Sequence, residues 1–295
     1  MNVDHIYQLQ RDDAFAKQFS TEHYQTFVAM PFSNRGGYPE PDIKKLLLEK
    51  VHKRANSLLA APRGKRRFAP LHRIDGGSSG GAVVITDRIV GDILDSHFFV
   101  GDLTGCNFGV VLEAGIALAL KPNERVLLYT QDDTASLHFD LKVTNVNRYQ
   151  FENLVEKVAS ALVSAARDFE REANRYVCLL SSQLTPDAIA AMNIYGRLWK
   201  DRKKKEDQPS LWEDSAAAYS QRFKENTGSV AFHQAVRELS GRRLLWTHYV
   251  PNVDNGGDAY GVHATNLGWR LIEHIWSHDS KMKQPLNAPT GPNLA

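Results

Sequence analysis

The chain has 295 residues, 42% of them hydrophobic, enough to build one large or two ordinary domains with real cores. Its 36 basic and 34 acidic residues leave a formal charge of +2, which gives no global field naming nucleic acid or a membrane as partner, so any charge argument must be local. Two cysteines, Cys106 and Cys178, make neither a disulfide framework nor a zinc site, the first residues lack a signal-peptide pattern, and no apolar run reaches the roughly 18 residues of a membrane span, so a cytoplasmic protein with no membrane contact is expected.

Residues 1–22 read as an N-terminal extension. Phe27 to Phe32 reads as a buried strand closing in a proline turn, followed by a loop. From Asp42, a fitting N-cap, Ile43, Leu46, Leu47, Val51 and Leu58 recur at helical spacing, and Arg67 to Ile74 reads as the next strand. The run Gly76 to Gly81 lacks the lysine and spacing of a P-loop and reads as a flexible turn or lid. Ile85, Ile89, Ile93 and Leu94 then share one helix face, His97 to Gly101 is a short apolar strand, and a Gly-Cys-Asn turn hands over to a helix reaching Leu120. Strands at Arg125 to Thr130 and Val146 to Phe151 and a helix from Glu152 through Tyr176 complete the series. This alternation predicts an α/β domain over residues 23–182, a flavodoxin- or Rossmann-like doubly wound, mostly parallel sheet with right-handed crossovers.

No further strand–helix alternation follows. Helices from Pro186, from Leu211 and from Val230 to Leu239, strands at Leu244 to Val250 and Tyr260 to Ala264 around a turn at Gly256 and Gly257, and a last helix capped by Thr265 or Asn266 predict a smaller winged-helix-like α+β domain over 183–280. Residues 281–295, with three prolines, are expected to be a disordered tail. A winged helix often binds DNA through its third helix, but residues 183–280 hold twelve basic and twelve acidic residues, and Val230 to Leu239 offers only Arg237 beside Glu238. Nucleic acid is therefore a disfavoured partner, and protein interaction or dimerisation the preferred role. Lys203 to Lys205 reads as a solvated loop or a phosphate contact.

Glu113 is the one acid in an otherwise apolar helix that leaves a buried strand, near the sheet edge where open α/β folds bind ligands. A buried acid needs a reason. Phe27 to Ser33, Arg73 to Asp75, Ile85 to Ile93 with Asp87, Gly101 to Asn107, Glu113 to Ala117 and Phe139 to Leu141 follow in an order that resembles the nucleoside 2-deoxyribosyltransferase-like superfamily, whose relatives include nucleotide N-glycoside hydrolases and which lies structurally near TIR domains. The resemblance covers residues 26–149. It implies cleavage or transfer of an N-glycosidic bond of a nucleoside, nucleotide or NAD-like substrate, with Glu113 attacking the anomeric carbon to give a glycosyl-enzyme. A carboxylate that stays ionised at neutral pH suits that attack, and a second acid with a raised pKa would protonate the departing base. Asp87 is the first candidate for that acid and Asp102 the second. The stretch after Asp87 is about a turn longer than in shorter family members, so the family's acid does not map cleanly.

The resemblance places substrate contacts at Met30, Pro31, Phe32 and Ser33, at Arg73 and Asp75, and at Thr104, Gly105, Asn107 and Gly109, the last two facing a sugar 5′ end or phosphate near a helix start. It also implies a homo-oligomer. Each contact has a plainer alternative: Asp102 as a turn cap, Asn107 as an Asx-turn residue, Arg73 and Asp75 as a local pair. Cys106 reads as a small packing residue, and Gly115 as a close approach of the helix to sheet or ligand. No metal site and no cofactor are expected. The rival readings are a nucleotide-sensing module without turnover and a DNA-binding regulator.

Overall fold

The computed structural model describes residues 16–32, 37–59, 66–73, 82–134, 145–203, 228–250 and 259–278. These form a mixed α/β structure with parallel-strand sheets, and the chain divides into two compact units between Arg171 and Glu172, with residues 19–21 joining the second. Among the described residues, no helix is long and apolar enough to cross a membrane.

In the first unit, β1 (His23–Tyr24) and β2 (Thr26–Ala29) are parts of one extended stretch interrupted at Gln25. β1 pairs in parallel with β3 (Arg67–Phe68), and the contact continues through a bridge between Phe27 and His72, where Val28 N–H donates to the His72 carbonyl at 2.8 Å. On its other side β2 pairs with β4 (Phe98–Asp102), which pairs with β5 (Val126–Thr130), which pairs with β6 (Val146–Arg148), all in parallel. Side by side, the strands therefore run β3, β1 with β2, β4, β5, β6. The chain steps one way from β2 to β3 and crosses back to reach β4. Open α/β sheets bind ligands at such a reversal, here the carboxyl ends of β2 and β4. The strand expected over 67–74 is shortened to two residues and a bridge, and Pro70 between them has no N–H to give a ladder.

The helices of this unit are α1 (Glu40–Lys45), joined through a π-helical turn at Leu46–Lys50 to α2 (Val51–Leu59), then α3 (Ala82–Asp95), α4 (Phe108–Leu120) and α5 (Leu154–Gln183), whose residues from Glu172 onward belong to the second unit. α1 starts after Pro39, so Asp42 falls within its first turn instead of capping it. The pleat of β4 divides its side chains between two cores. Phe99 joins Phe27, Ala29 and Leu128 against Ile93 of α3 and Val110, Ala114 and Ala117 of α4. Phe98 points the other way into a ring cluster with Tyr24, Phe68 and Phe169. Both faces are apolar, which is why β4 reads as a continuous hydrophobic run. Gly101 is required beneath, since a Cβ there would lie 2.9 Å from the Phe99 ring and 3.0 Å from Leu128.

His97, which opens the β4 segment, is explained by the break at Gln25. Its Nδ1 accepts from Gln25 N–H at 3.0 Å, so Nε2 carries the proton and donates to the Gln18 carbonyl at 2.9 Å. Burial, then the charges of Arg66, Lys121 and Arg125, hold this imidazole well below its ordinary value despite the Gln18 bond. His97 is thus a neutral, hydrogen-bonded core residue.

The second unit holds α6 (Pro186–Lys203), α7 (Gly228–Gly241), the antiparallel pair β7 (Leu245–Val250) and β8 (Ala259–Ala264), and α8 (Asn266–His278). Thr265 is the cap of α8, its Oγ1 accepting from Gly268 N–H at 3.1 Å. The helix expected from Leu211, the Gly256–Gly257 turn, Lys204 and Lys205, the Gly76 to Gly81 run and the tail at 281–295 lie outside the described residues.

Candidate functional site

All strands of the first unit's sheets are parallel, so the loops after β2, β4, β5 and β6 gather at one edge. Asn107 starts α4 from that edge, its side chain accepting from Gly109 N–H at 3.1 Å and Val110 N–H at 3.3 Å. Five residues into α4, about 8 Å along its axis, stands Glu113. It is half-buried, flanked on the helix by exposed Leu112 and buried Ala114. Burial pushes its carboxyl up to about 7, against a downward pull from the Arg73 charge. A carboxylate fully ionised at neutral pH, as expected from sequence, is therefore not what this site holds: near pH 7 Glu113 is shared between its two forms.

Arg73 is the cation of the site. Its guanidinium lies 4.3 Å from the ring centroid of Phe32, whose residue is 55% exposed, and its NH1 is 3.1 Å from Glu40 Oε1. Arg73 and Phe32 thus stand together, and the Arg73 charge acts on Glu113. Glu40 was not foreseen. It opens α1, and only the fold brings that helix start to Arg73.

Asp102, at the end of β4, does different work. Its Oδ2 accepts from Tyr38 OH at 2.8 Å and Tyr149 OH at 2.6 Å, and its Oδ1 from Thr104 N–H at 3.1 Å and Thr104 Oγ1 at 2.5 Å. Burial raises its pKa while these four bonds oppose the rise. Burial and the adjoining Asp102 charge push both tyrosines upward. With every lone-pair direction used by the protein itself and 2% of its surface exposed, Asp102 ties the loop after β2 to the ends of β4 and β6. It is a structural hub.

Other expected site residues are placed as follows. Asp87 lies exposed on α3. Met30 and Pro31 are buried, so their side chains present nothing to a ligand. Gly105 N–H donates to Asp132 Oδ2 at 2.7 Å, and the N–H groups of Gly109 and Val110, where a phosphate or sugar 5′ end was expected, are taken by Asn107. The plainer reading of Asn107, a local cap, describes it. Gly115 faces open space and makes no close approach to the sheet, and Cys106 is exposed in the left-handed turn it shares with Gly105, not packed. Ser33 and Asp75 lie outside the described residues.

Beyond β6 an open depression of about 580 Å³ is lined by Gln131, Arg148, Tyr149, Phe151 and Lys157 among others. Tyr149 is shared between this depression and the Asp102 hub. Among the described residues, no group of three or more His, Cys, Asp or Glu side chains is placed to hold a metal. One pair escaped sequence reasoning: His274 and His278, four residues apart on α8, with ring centroids 4.2 Å apart. Their spacing was the available signal. The chain matches no protein-family model, no curated protein and no solved structure.

Proposed function

We propose that this protein cleaves or transfers an N-glycosidic bond of a nucleoside, nucleotide or NAD-like substrate, with Glu113 as the group that bonds to the anomeric carbon. The observation that carries this reading is a half-buried carboxyl in an apolar helix that leaves the carboxyl edge of a parallel sheet, within the field of Arg73, which itself lies over the Phe32 ring. In the reaction, a Glu113 oxygen bonds to the anomeric carbon while the bond from carbon to base nitrogen breaks and its electron pair leaves with the base. Water or a second base then takes the glycosyl group and frees the carboxylate. A carboxyl near 7 is mostly ionised only above that pH, so the step speeds up as pH rises through neutrality.

Neither exposed Asp87 nor the fully bonded Asp102 is suited to protonate a leaving base. That favours a base that departs uncharged without receiving a proton, as the cationic pyridinium of NAD does. On this reading the first unit is a doubly wound, flavodoxin-like domain of the nucleoside 2-deoxyribosyltransferase-like type, for which its strand order is the support. The second is winged-helix-like and serves interaction or dimerisation, in keeping with the succession of α6, α7, the β7–β8 pair and α8. Phe108 and Leu112, 82% and 56% exposed on apolar α4, favour a homo-oligomer.

The same observations on Asp87 and Asp102 favour a second reading for substrates whose base must be protonated: binding without turnover, with the occupied site acting as a signal. Incubation with nucleosides, nucleoside monophosphates and NAD, with chromatography of free bases, separates the two. Base release abolished in a folded Glu113→Gln protein supports catalysis, and tight nucleotide binding with no base released supports sensing.

A further inference from the structure

We propose that His274 and His278 form a two-imidazole site for a divalent late-transition-metal ion, taking Cu(II) in preference to Ni(II) or Zn(II). The two rings stand one turn apart on α8, with centroids 4.2 Å apart and planes inclined by 47°. Each is oriented by an oxygen that leaves its other nitrogen open. His278 Nδ1 lies 2.9 Å from the His274 carbonyl, which can only accept, so Nδ1 carries the proton and Nε2 keeps its lone pair. Ser277 Oγ, whose own proton goes to that same carbonyl at 2.7 Å, is a second acceptor for Nδ1 at 2.9 Å.

His274 is held from α5. Ser181 gives its hydroxyl proton to the Cys178 carbonyl at 2.8 Å and so faces His274 Nε2, 3.3 Å away, as an acceptor. The proton of His274 is then on Nε2 and its lone pair on Nδ1. Metal-binding histidines are commonly built this way, the second ring nitrogen donating to an oxygen that fixes tautomer and direction. His278 stands in the last turn of α8, where the helix dipole favours a cation, and His274 one turn before it. Two neutral imidazoles with solvent completing the shell suit a borderline ion, and the general affinity order puts Cu(II) first.

The test is titration of the full chain with copper(II) chloride at neutral pH, followed by calorimetry and electron paramagnetic resonance. One saturable ion per chain with coupling to two nitrogens is expected, weakened at least about tenfold in His278→Gln and in His274→Gln, and less in Ser181→Ala, which removes only the orienting oxygen. His278 is exposed, so its variant decides the matter should the His274 variant misfold. The same ion with the same spectrum in His278→Gln, or no saturable binding at millimolar copper, overturns the proposal.

Discussion

Exchanging Glu40 for glutamine should lower the pH at which Glu113 ionises, although Glu40 sits on another helix. The Arg73 and Glu40 side chains are 6% and 16% exposed, with 3.1 Å between NH1 and Oε1, so solvent screens their charges weakly. Glu113 feels burial pushing up and Arg73 pulling down, and burial wins, leaving it near 7. Glu40 offsets part of the Arg73 charge. Removing the Glu40 charge should therefore bring a further fall of up to about 1 unit, at most a tenfold change in the ratio of ionised to protonated Glu113. Arg73→Gln should shift the midpoint upward by a similar amount. Carbon NMR of glutamate-labelled protein reads the titration directly, with the Glu113 resonance assigned by its loss in Glu113→Gln. In an Arg73→Gln background the Glu40 exchange should lower the midpoint by a similar amount, because the two charges act on Glu113 additively. An unchanged midpoint in Glu40→Gln would refute the reasoning.

Three further outcomes follow from the same contacts. Asp102→Asn turns a pure acceptor into a group with two donors facing Tyr38, Tyr149 and Thr104, and should cost about 2–4 kcal/mol in urea unfolding; a loss near zero would mean that the hub is not under load. Because the folded pKa of Glu113 lies above its unfolded value of 4.5, its contribution is fully present below about 4.5 and lost as pH rises through about 7. Glu113→Gln should thus stabilise the fold by about 1–2 kcal/mol at pH ~8, discounted for the solvent that still reaches this group, and hardly at all at pH ~4; equal melting shifts at both pH values would contradict the assignment. His97 has the opposite sign, its folded pKa lying below 6.5, so its contribution is present above about 6.5 and falls away as pH drops. His97→Phe, which strands the Gln25 N–H and the Gln18 carbonyl, should cost about 2–4 kcal/mol and flatten the acid limb of the stability curve.

Periodicity carried most of the first unit. Buried β4 and β5, and the helices that became α3, α4 and α5, stand in the sequence as apolar runs or stripes with turn residues between them. Element ends were less legible because they depend on partners. β3 stops where Pro70 stands, and α1 begins at Glu40 because Pro39 precedes it, neither of which a hydrophobic pattern encodes. At the site, Glu113 showed as a single charge in an apolar helix, and Arg73 and Phe32 as neighbours of strand ends. The sequence ranked Asp87 above Asp102, but a carboxylate's role depends on its donors and on the solvent reaching it. Four bonds from Tyr38, Tyr149 and Thr104 exist only once three strand ends converge. Glu40 was invisible for the same reason: 33 positions separate it from Arg73.

The most direct measurement is base release from NAD, nucleosides and nucleoside monophosphates by the wild-type chain and by Glu113→Gln, across pH 6 to 9. Release that rises through about pH 7 as Glu113 ionises, and that vanishes in the variant with its melting temperature retained, is the result expected. Release undiminished in the variant would contradict the role given to Glu113, and wild-type protein that binds these ligands yet frees no base would contradict catalysis.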